Sequence, residues 1–510
     1  DCQRAQHPQA QRGDHRRAGQ VKTGPLGGQL REKVAQGVAW SMAEKIGSML
    51  LAMAVRLVIL RLLTPDILGF MSIPSAVATI LLVVVDSGFS QSLIRHRDPS
   101  QSDYKSVFLF NMAVSLALYA ALMALMPFAA RWYDMPQIAR IAPVFFLLLP
   151  LNALCAVQNT IFIRQFRFAL LSKVTFASSL VGGFAAIGCA LAGWGIWSLV
   201  AERVITVGAR TAILWWLSDW RPRGRCSVKP LREMAPFGCS LMVTDLISNF
   251  YNKIPQFFLG KLYPAATLGS YDQAVKLKDM PATTGMQAVQ NVTFPAFSKI
   301  RDDAPKLAES YRQVVMVVAY VMFPIMAGMS AVAHDMFAVL LGEGWMSTAP
   351  YFEVVCLAGL FSPIAVIAYN ILKVRCSGPL LVRLEVVKKL LMTAIFAVTI
   401  PRSVTAVVWG LVAIAFCEMA VNFLATTRFT TLSCARFART LLPPALLSAA
   451  MYAVVRLTAA VPGNDLLRLV AEIAAGALCY LLLSALFRLE AFREVLAIVR
   501  RQLKKKDRPV

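Results

Sequence analysis

Of 510 residues, 57% are apolar, and the mean hydropathy is +0.60; an ordinary water-soluble domain holds only about 45–50%, so a soluble enzyme is excluded. The formal net charge of +24 suggests nucleic acid at first sight, but the basic residues sit in short joins between apolar runs rather than on one polar face, which excludes that partner too. The ten cysteines stand singly and the four histidines are dispersed, so no disulfide framework, metal site or cofactor is expected.

In chain order, residues 1–30 are polar and arginine-bearing and lack the apolar stretch of a secretory signal. They read first as a disordered cytoplasmic tail; a start at Asp1 rather than Met also leaves a processed or misassigned beginning open. From Val34 onward come fourteen segments of the roughly twenty residues needed to cross about 30 Å of hydrocarbon. They run 34–63, 67–89, 107–130, 138–161, 170–192, 196–217, 234–263, 266–294, 314–333, 349–372, 380–400, 405–427, 441–461 and 466–487. The expected fold is an all-α integral membrane protein of about 14 transmembrane helices. Stops are expected at Thr64–Pro65, Gly193–Trp194–Gly195 and Tyr263–Pro264.

Lysine and arginine set the orientation. The joins from even to odd spans collect 21 of them, the joins from odd to even only seven. Both termini are therefore expected in the cytoplasm of a bacterial inner membrane, and Lys504, Lys505 and Lys506 near the end can touch anionic membrane lipids. The longest join, Pro295 to Gln313, has 19 residues, which leaves no room for a catalytic domain.

An internal echo divides the chain. Leu62-Leu63-Thr64-Pro65 followed by Leu68-Gly69 returns, with one insertion, as Leu262-Tyr263-Pro264 followed by Leu268-Gly269, about 200 positions later. Phe89 to Asp98 is echoed by Phe294 to Asp303. An offset of six spans preserves direction, so a parallel repeat is expected. It gives an N-lobe (31–217), a basic cytoplasmic linker (218–233), a C-lobe (234–427), a final helix pair (428–487) and a basic tail (488–510). At about 100° per residue, Asp245, Asn249, Asn252 and Gln256 fall on one side of the seventh span, with Ser248 and Lys253 at its edges. Asp272, Lys276, Asp279, Thr283, Gln287 and Gln290 do the same on the eighth. Ionised groups at mid-membrane cost about 2.5–3.5 kcal/mol each on insertion scales, so these stripes should face a wet pathway or each other.

At these residues the sequence resembles the Wzx-type oligosaccharide flippases of the MOP (MATE-like) superfamily, in the exopolysaccharide or colanic-acid-like branch. The resemblance lies in Ile59-Leu60-Arg61-Leu62-Leu63-Thr64-Pro65, Asp86-Ser87-Gly88-Phe89-Ser90-Gln91-Ser92-Leu93-Ile94, Leu268-Gly269-Ser270-Tyr271 and above all Phe294-Pro295-Ala296-Phe297-Ser298-Lys299-Ile300. It covers roughly residues 30–490. Lys276, Lys278 and Asp279 make the eighth span more charged than the family pattern. The resemblance implies a flippase that moves undecaprenyl-diphosphate-linked oligosaccharide repeat units from the cytoplasmic to the periplasmic leaflet by ion-coupled alternating access. Its partners would be the lipid-linked oligosaccharide, membrane lipids and other polysaccharide-export components. Alternatives are an ion-coupled multidrug exporter or a peptidoglycan-precursor flippase on the same fold and, more remotely, a membrane glycan polymerase or ligase.

A diphosphate headgroup calls for cations in a cavity of low dielectric. The candidates are Lys45 and Arg56 on the first span, Arg203 and Arg210 on the sixth, Asn249, Asn252 and Lys253 on the seventh, and Lys276 on the eighth. Arg56 also reads as a side chain snorkelling to the membrane edge, and Arg203 and Arg210 as structural partners of Glu202 or a neighbouring helix. Candidates for ion or proton coupling are Glu44, Asp245, Asp272, Asp279 and Glu418; Glu44 is equally open to an interhelical ion pair. Glu385 with Lys388 and Lys389 reads as an i,i+4 pair with snorkelling, and Asp86 as a structural feature of the gate.

Overall fold

The computed structural model describes residues 47, 53–86, 88–96, 99–223, 227–376, 378–458 and 464–496, and every regular element among them is helical. Lys45 and Glu44, the 1–30 tail and the basic tail beyond 496 lie outside the described residues.

The first described helix, α1 (53–62), stops just before Pro65, which opens α2 (Pro65–Asp86); proline at the first helical position sacrifices no hydrogen bond. The expected span 67–89 is in fact two helices, because Gly88, at φ 65, turns the chain between α2 and α3 (Phe89–Arg95). A capping box of Ser100 and Asp103 starts α4 (Gln101–Trp132). The expected span 138–161 is likewise broken at Phe146–Leu147 into α5 (Pro136–Phe145) and α6 (Leu148–Arg164). Next come α7 (Phe168–Leu191) and α8 (Ile196–Leu217), joined by a turn in which Gly193 and Gly195 take φ of 77 and 54. The second half holds α9 (Val228–Leu262), α10 (Ala265–Lys299), α11 (Ala304–Ala331), α12 (Ala333–Leu340), a 3-10 turn (Glu343–Thr348), α13 (Ala349–Arg375), α14 (Gly378–Thr399) and α15 (Val404–Thr426). Two last long helices, α16 (Cys434–Thr458) and α17 (Asp465–Leu486), precede a short helix at 490–496. The expected 19-residue join between spans eight and nine shrinks to Ile300–Asp303. Both helices run on past their apolar parts, and the Asp303 carboxylate caps α11 by accepting from the Lys306 N–H at 3.0 Å.

Nine helices of the described residues are long and apolar enough to cross a membrane. Four other long helices, α8, α9, α10 and α14, have 22 to 35 residues. They miss that standard because they carry the charges of interest: Glu202, Arg203 and Arg210; Asp245 and Lys253; Asp272, Lys276, Lys278 and Asp279; Arg383, Glu385, Lys388 and Lys389.

At one end of the molecule α2 crosses α10, and the two echo-marking glycines touch. A Cβ on Gly69 would overlap the Ala265 carbonyl oxygen, and one on Gly269 would overlap that of Pro65. The contact is reciprocal: Pro65 and Ala265 are separated by the same 200 positions as the glycines. Beside it, the Trp345 indole N–H donates to the carbonyls of Leu60 at 2.6 Å and Leu63 at 3.1 Å, satisfying end groups of α1 that have no partner within their own helix. Lys261 reaches the Trp132 carbonyl at 2.5 Å and Asp134 at 3.5 Å. At the other end of α2 the halves meet again, where a Cβ on Gly88 would overlap the Gly238 carbonyl oxygen and the Arg95 guanidinium covers the Phe237 ring at 4.6 Å. The last pair leans on the second half: the Tyr480 hydroxyl donates to the Tyr320 carbonyl at 2.8 Å, and Arg468 grips Asp335 through two bonds of 2.6 and 2.5 Å.

Candidate functional site

Helices α2, α5, α6, α8, α9 and α10 surround a cavity of about 180 Å³. Its charged lining is Arg203, Lys253, Asp272 and Lys276, and its neutral polar lining includes Ser72, Ser75 and Thr79 along α2, Asn152 and Gln256. Asp272 is only 4% exposed; its carboxylate binds the Lys276 ammonium at 2.5 Å and accepts from the Gln256 amide at 3.5 Å. A buried carboxylate without such a partner would be strongly destabilising. Arg56 does not snorkel. It donates across the halves to the Gln273 Oε1 at 2.5 Å, within electrostatic reach of Glu202, Arg203 and Asp272. Arg203 and Lys253 form no ion pair among the described residues, so the neighbourhood holds four cations, Arg56, Arg203, Lys253 and Lys276, against the carboxylates of Asp272 and Glu202. An anion is the ligand that such an excess attracts.

This cavity adjoins two others. A vestibule of about 590 Å³ shares Leu82 and Asn152 with it, and holds Arg95, Asp86 and Arg210. Arg210 donates to the Asn159 Oδ1 at 2.9 Å. A cleft of about 250 Å³ shares Leu82, Asp86 and Gln91 with the vestibule and places Asp245 of the second half across from Asp86 of the first. Through these shared residues the three spaces follow one another along a route, with polar and apolar walls, from Arg95, at the end of α3, to Lys276.

The remaining candidates scatter. Asn249 turns its amide back onto the Asp245 carbonyl at 2.8 Å, and Asn252 is exposed; neither lines the described cavities. Asp279 pairs with Lys278 at 2.5 Å. Glu418, half-buried, lies within reach of Lys388, Lys389 and Glu385 rather than on the route. The expected i,i+4 pair is replaced by Glu385 with Lys388, i,i+3 at 2.5 Å. Aromatic rings account for this, because Lys388 lies 4.6 Å from the Tyr369 ring and Lys389 is drawn 5.2 Å from that of Tyr251. Asn422, on the same side of its helix as Glu418, ties α15 to α13 by donating to the Ala365 carbonyl at 3.0 Å.

Sequence reasoning missed Gln273, Asn152, Asn159 and the α2 hydroxyls. Ser72, Ser75 and Thr79 do stand at i, i+3 and i+7, a helical spacing that marks one face. Gln273 carried no such mark, being one position off the Asp272 stripe.

Comparison with known proteins agrees with this architecture. The chain is 24% identical over 331 residues to the succinoglycan biosynthesis transport protein ExoT of Rhizobium meliloti (strain 1021), covering 65% of this chain and 67% of that protein. It is 22% identical to the teichuronic acid biosynthesis protein TuaB of Bacillus subtilis (strain 168), over 79% of this chain and 84% of TuaB. It is 21% identical to the lipopolysaccharide biosynthesis protein WzxC of Escherichia coli (strain K12), over 65% and 68%. The fold matches the lipid II flippase MurJ in an inward closed conformation, with a TM-score of 0.72 at 12% identity over 90% of this chain and 100% of that one. It also matches an inward-facing multidrug resistance MATE transporter of the MOP superfamily, with a TM-score of 0.59 at 13% identity over 77% and 100%. The family expected from the residue motifs is thus met: a family model described as polysaccharide biosynthesis protein matches residues 58–350, and the chain belongs to that family.

Proposed function

We propose that this multi-pass membrane protein is a flippase for a diphosphate-linked glycolipid, carrying lipid-linked oligosaccharide repeat units across the bacterial inner membrane by alternating access. The observation that carries the reading is the cavity between the halves. Three cations line it against the single carboxylate of Asp272, an arrangement complementary to a diphosphate and hostile to the cationic cargo of a drug exporter. Arg203 and Lys253, free of ion pairs among the described residues, are the first ligands of that headgroup, and Lys276 joins them when the headgroup competes for Asp272. Arg210 and Arg95 along the vestibule form the approach. Asp245 and Asp86, facing each other across the cleft, are the proposed site of cation or proton coupling, because repulsion between them is relieved when a cation or proton enters. In this reading the chain spans the membrane fourteen times, as two six-helix lobes and a final pair, with both termini and the Arg95 end in the cytoplasm.

The experiment is deletion of the gene in its polysaccharide-producing host. The expected result is cytoplasmic-side accumulation of one lipid-linked repeat unit, reversed by the wild-type gene but not by the Arg203→Ala/Lys253→Ala double variant present in the membrane at normal amount. Normal export in the deletion strain, or full rescue by the double variant, would sink the proposal; accumulation of a peptidoglycan precursor would reassign the cargo.

A further inference from the structure

A second basic hollow lies away from the central route, at the same end of the molecule as Arg95. It occupies about 430 Å³ between the start of α11, the start of α16 and the chain around Leu489. Its walls differ in kind. Arg312 is fully engaged: its guanidinium bonds Glu309 on its own helix at 2.7 Å and Glu490 at 2.7 Å, fastening the short terminal helix to α11. Arg436 and Arg439, one turn apart on α16, are exposed and form no ion pair among the described residues. The first turn of α16 holds no acidic residue, so the positive end of the helix adds to their charge rather than offsetting it. The chain beyond 496 is itself basic, with Arg500, Arg501, Lys504, Lys505, Lys506 and Arg508 against Asp507. Below the arginines the hollow turns apolar, with Met316, Pro443, Pro444 and Leu489.

A charged rim over an apolar floor, at the helix ends where basic residues gather, matches the shape of a phospholipid cut at its glycerol. Basic pockets between membrane helices on the cytoplasmic side are a recognised way to hold acidic headgroups. We propose that this hollow binds the phosphate of an anionic membrane phospholipid. Arg436 and Arg439 are its ligands, and the glycerol and first acyl carbons rest on Met316, Pro443 and Leu489. The lipid then bridges the final helix pair to α11, a role distinct from cargo transport and independent of what the cargo is.

The test is native mass spectrometry of the full chain released from mild detergent and titrated in parallel with phosphatidylglycerol, with phosphatidylethanolamine of the same acyl chains, and with inorganic phosphate. The expected result is preferential retention of phosphatidylglycerol. Two interfacial arginines are together worth about 30-fold in affinity, so Arg436→Gln/Arg439→Gln should weaken it by about that factor, while Arg436→Lys/Arg439→Lys keeps most of it. Arg402→Gln, at the opposite end, serves as the control that loses nothing. Equal retention of the two lipids, unchanged binding by the glutamine pair, or inorganic phosphate binding as well as the lipid would each overturn the assignment. Should the glutamine pair fail to fold, the lysine pair and the lipid comparison on the wild type still decide it.

Discussion

Lys276 and Lys253 line the same cavity, yet they answer to different physics. Lys276 is committed to Asp272, a carboxylate with 5% of its side chain exposed. Its removal leaves a buried charge with no ion-pair partner, hydrogen-bonded only by the Gln256 amide at 3.5 Å and with Lys253 and Arg56 acting at longer range. Lys276→Ala should therefore lower stability by about 1–3 kcal/mol, read as a fall in the thermal midpoint in detergent, together with export. Adding Asp272→Ala should restore most of that stability without restoring export. Lys253 has no such partner, so Lys253→Ala should lower export by about tenfold while the thermal midpoint stays within a degree or two of wild type. Equal stability losses from the two single variants would contradict this division. Both lysines were legible in the sequence, because a row of polar side chains at helical spacing on an apolar segment marks a face turned away from lipid. Arg56 was legible as a charge but not in its contact: its partner, Gln273, lies 217 positions away, and no local pattern encodes a crossing between halves.

Individual helices show where sequence reading stopped. The positions of α4, α7 and α8 follow from their apolar runs and turn residues. The break at Phe146–Leu147 does not: both residues are apolar, and Pro143, three positions earlier, sits inside α5 rather than at the break. Trp345 was passed over for a related reason, since tryptophan near a membrane edge ordinarily reads as an interfacial anchor. Here it is 2% exposed and caps another helix. Trp345→Phe keeps the bulk and removes the donor. It should raise the labelling rate of a cysteine placed at Leu63 several-fold, as α1 and the 3-10 turn part more often; an unchanged rate would mean that the indole bond holds nothing.

The contact between α12 and α17 yields a pH prediction. Burial is the strongest single influence on Asp335 and works against its ionisation, but the hydrogen bonds from Arg468, Glu472 and His334, with the charge of Arg468, together outweigh it and hold the carboxyl below its ordinary range. A depressed carboxyl stabilises the fold above its unfolded value of about 3.9 and loses that contribution as pH falls through its folded value. At pH 6, Arg468→Gln should therefore melt lower than wild type, by the equivalent of about 1–3 kcal/mol. The gap should narrow as the pH approaches 3. A gap independent of pH would show that Arg468 acts through packing alone.

For the whole molecule, the proposed cycle requires the halves to separate where α2 meets α10 and to meet more fully near Asp86 and Asp245. A bifunctional cross-linker joining cysteines at Asp134 and Lys261, which now face each other across that end at 3.5 Å, should abolish export, and its cleavage should restore it. Export that survives complete cross-linking would rule out this movement. Gly69→Val should also abolish export, because a side chain there meets backbone rather than a yielding neighbour. Gly208→Ala, which meets open space, should be neutral. The echo itself was readable in the sequence because Pro65 and Leu68-Gly69 return near Pro264 and Leu268-Gly269; that the repeated segments lie against one another was not, since an echo says nothing about contact.

The seam at Gly69 and Gly269 is main chain laid on main chain. Neither backbone can swing aside there, so the contact holds through fit alone, and in the proposed cycle it would part without any rotamer having to be frozen or freed. Changes of cargo over time can reshape Lys253, Arg203 and the vestibule wall step by step, each substitution softened by its neighbours. The seam has no such latitude: at Gly69 and Gly269 anything larger than hydrogen would overlap the backbone of the opposite face, so these two positions are held to one solution while the chamber below them remains free to vary.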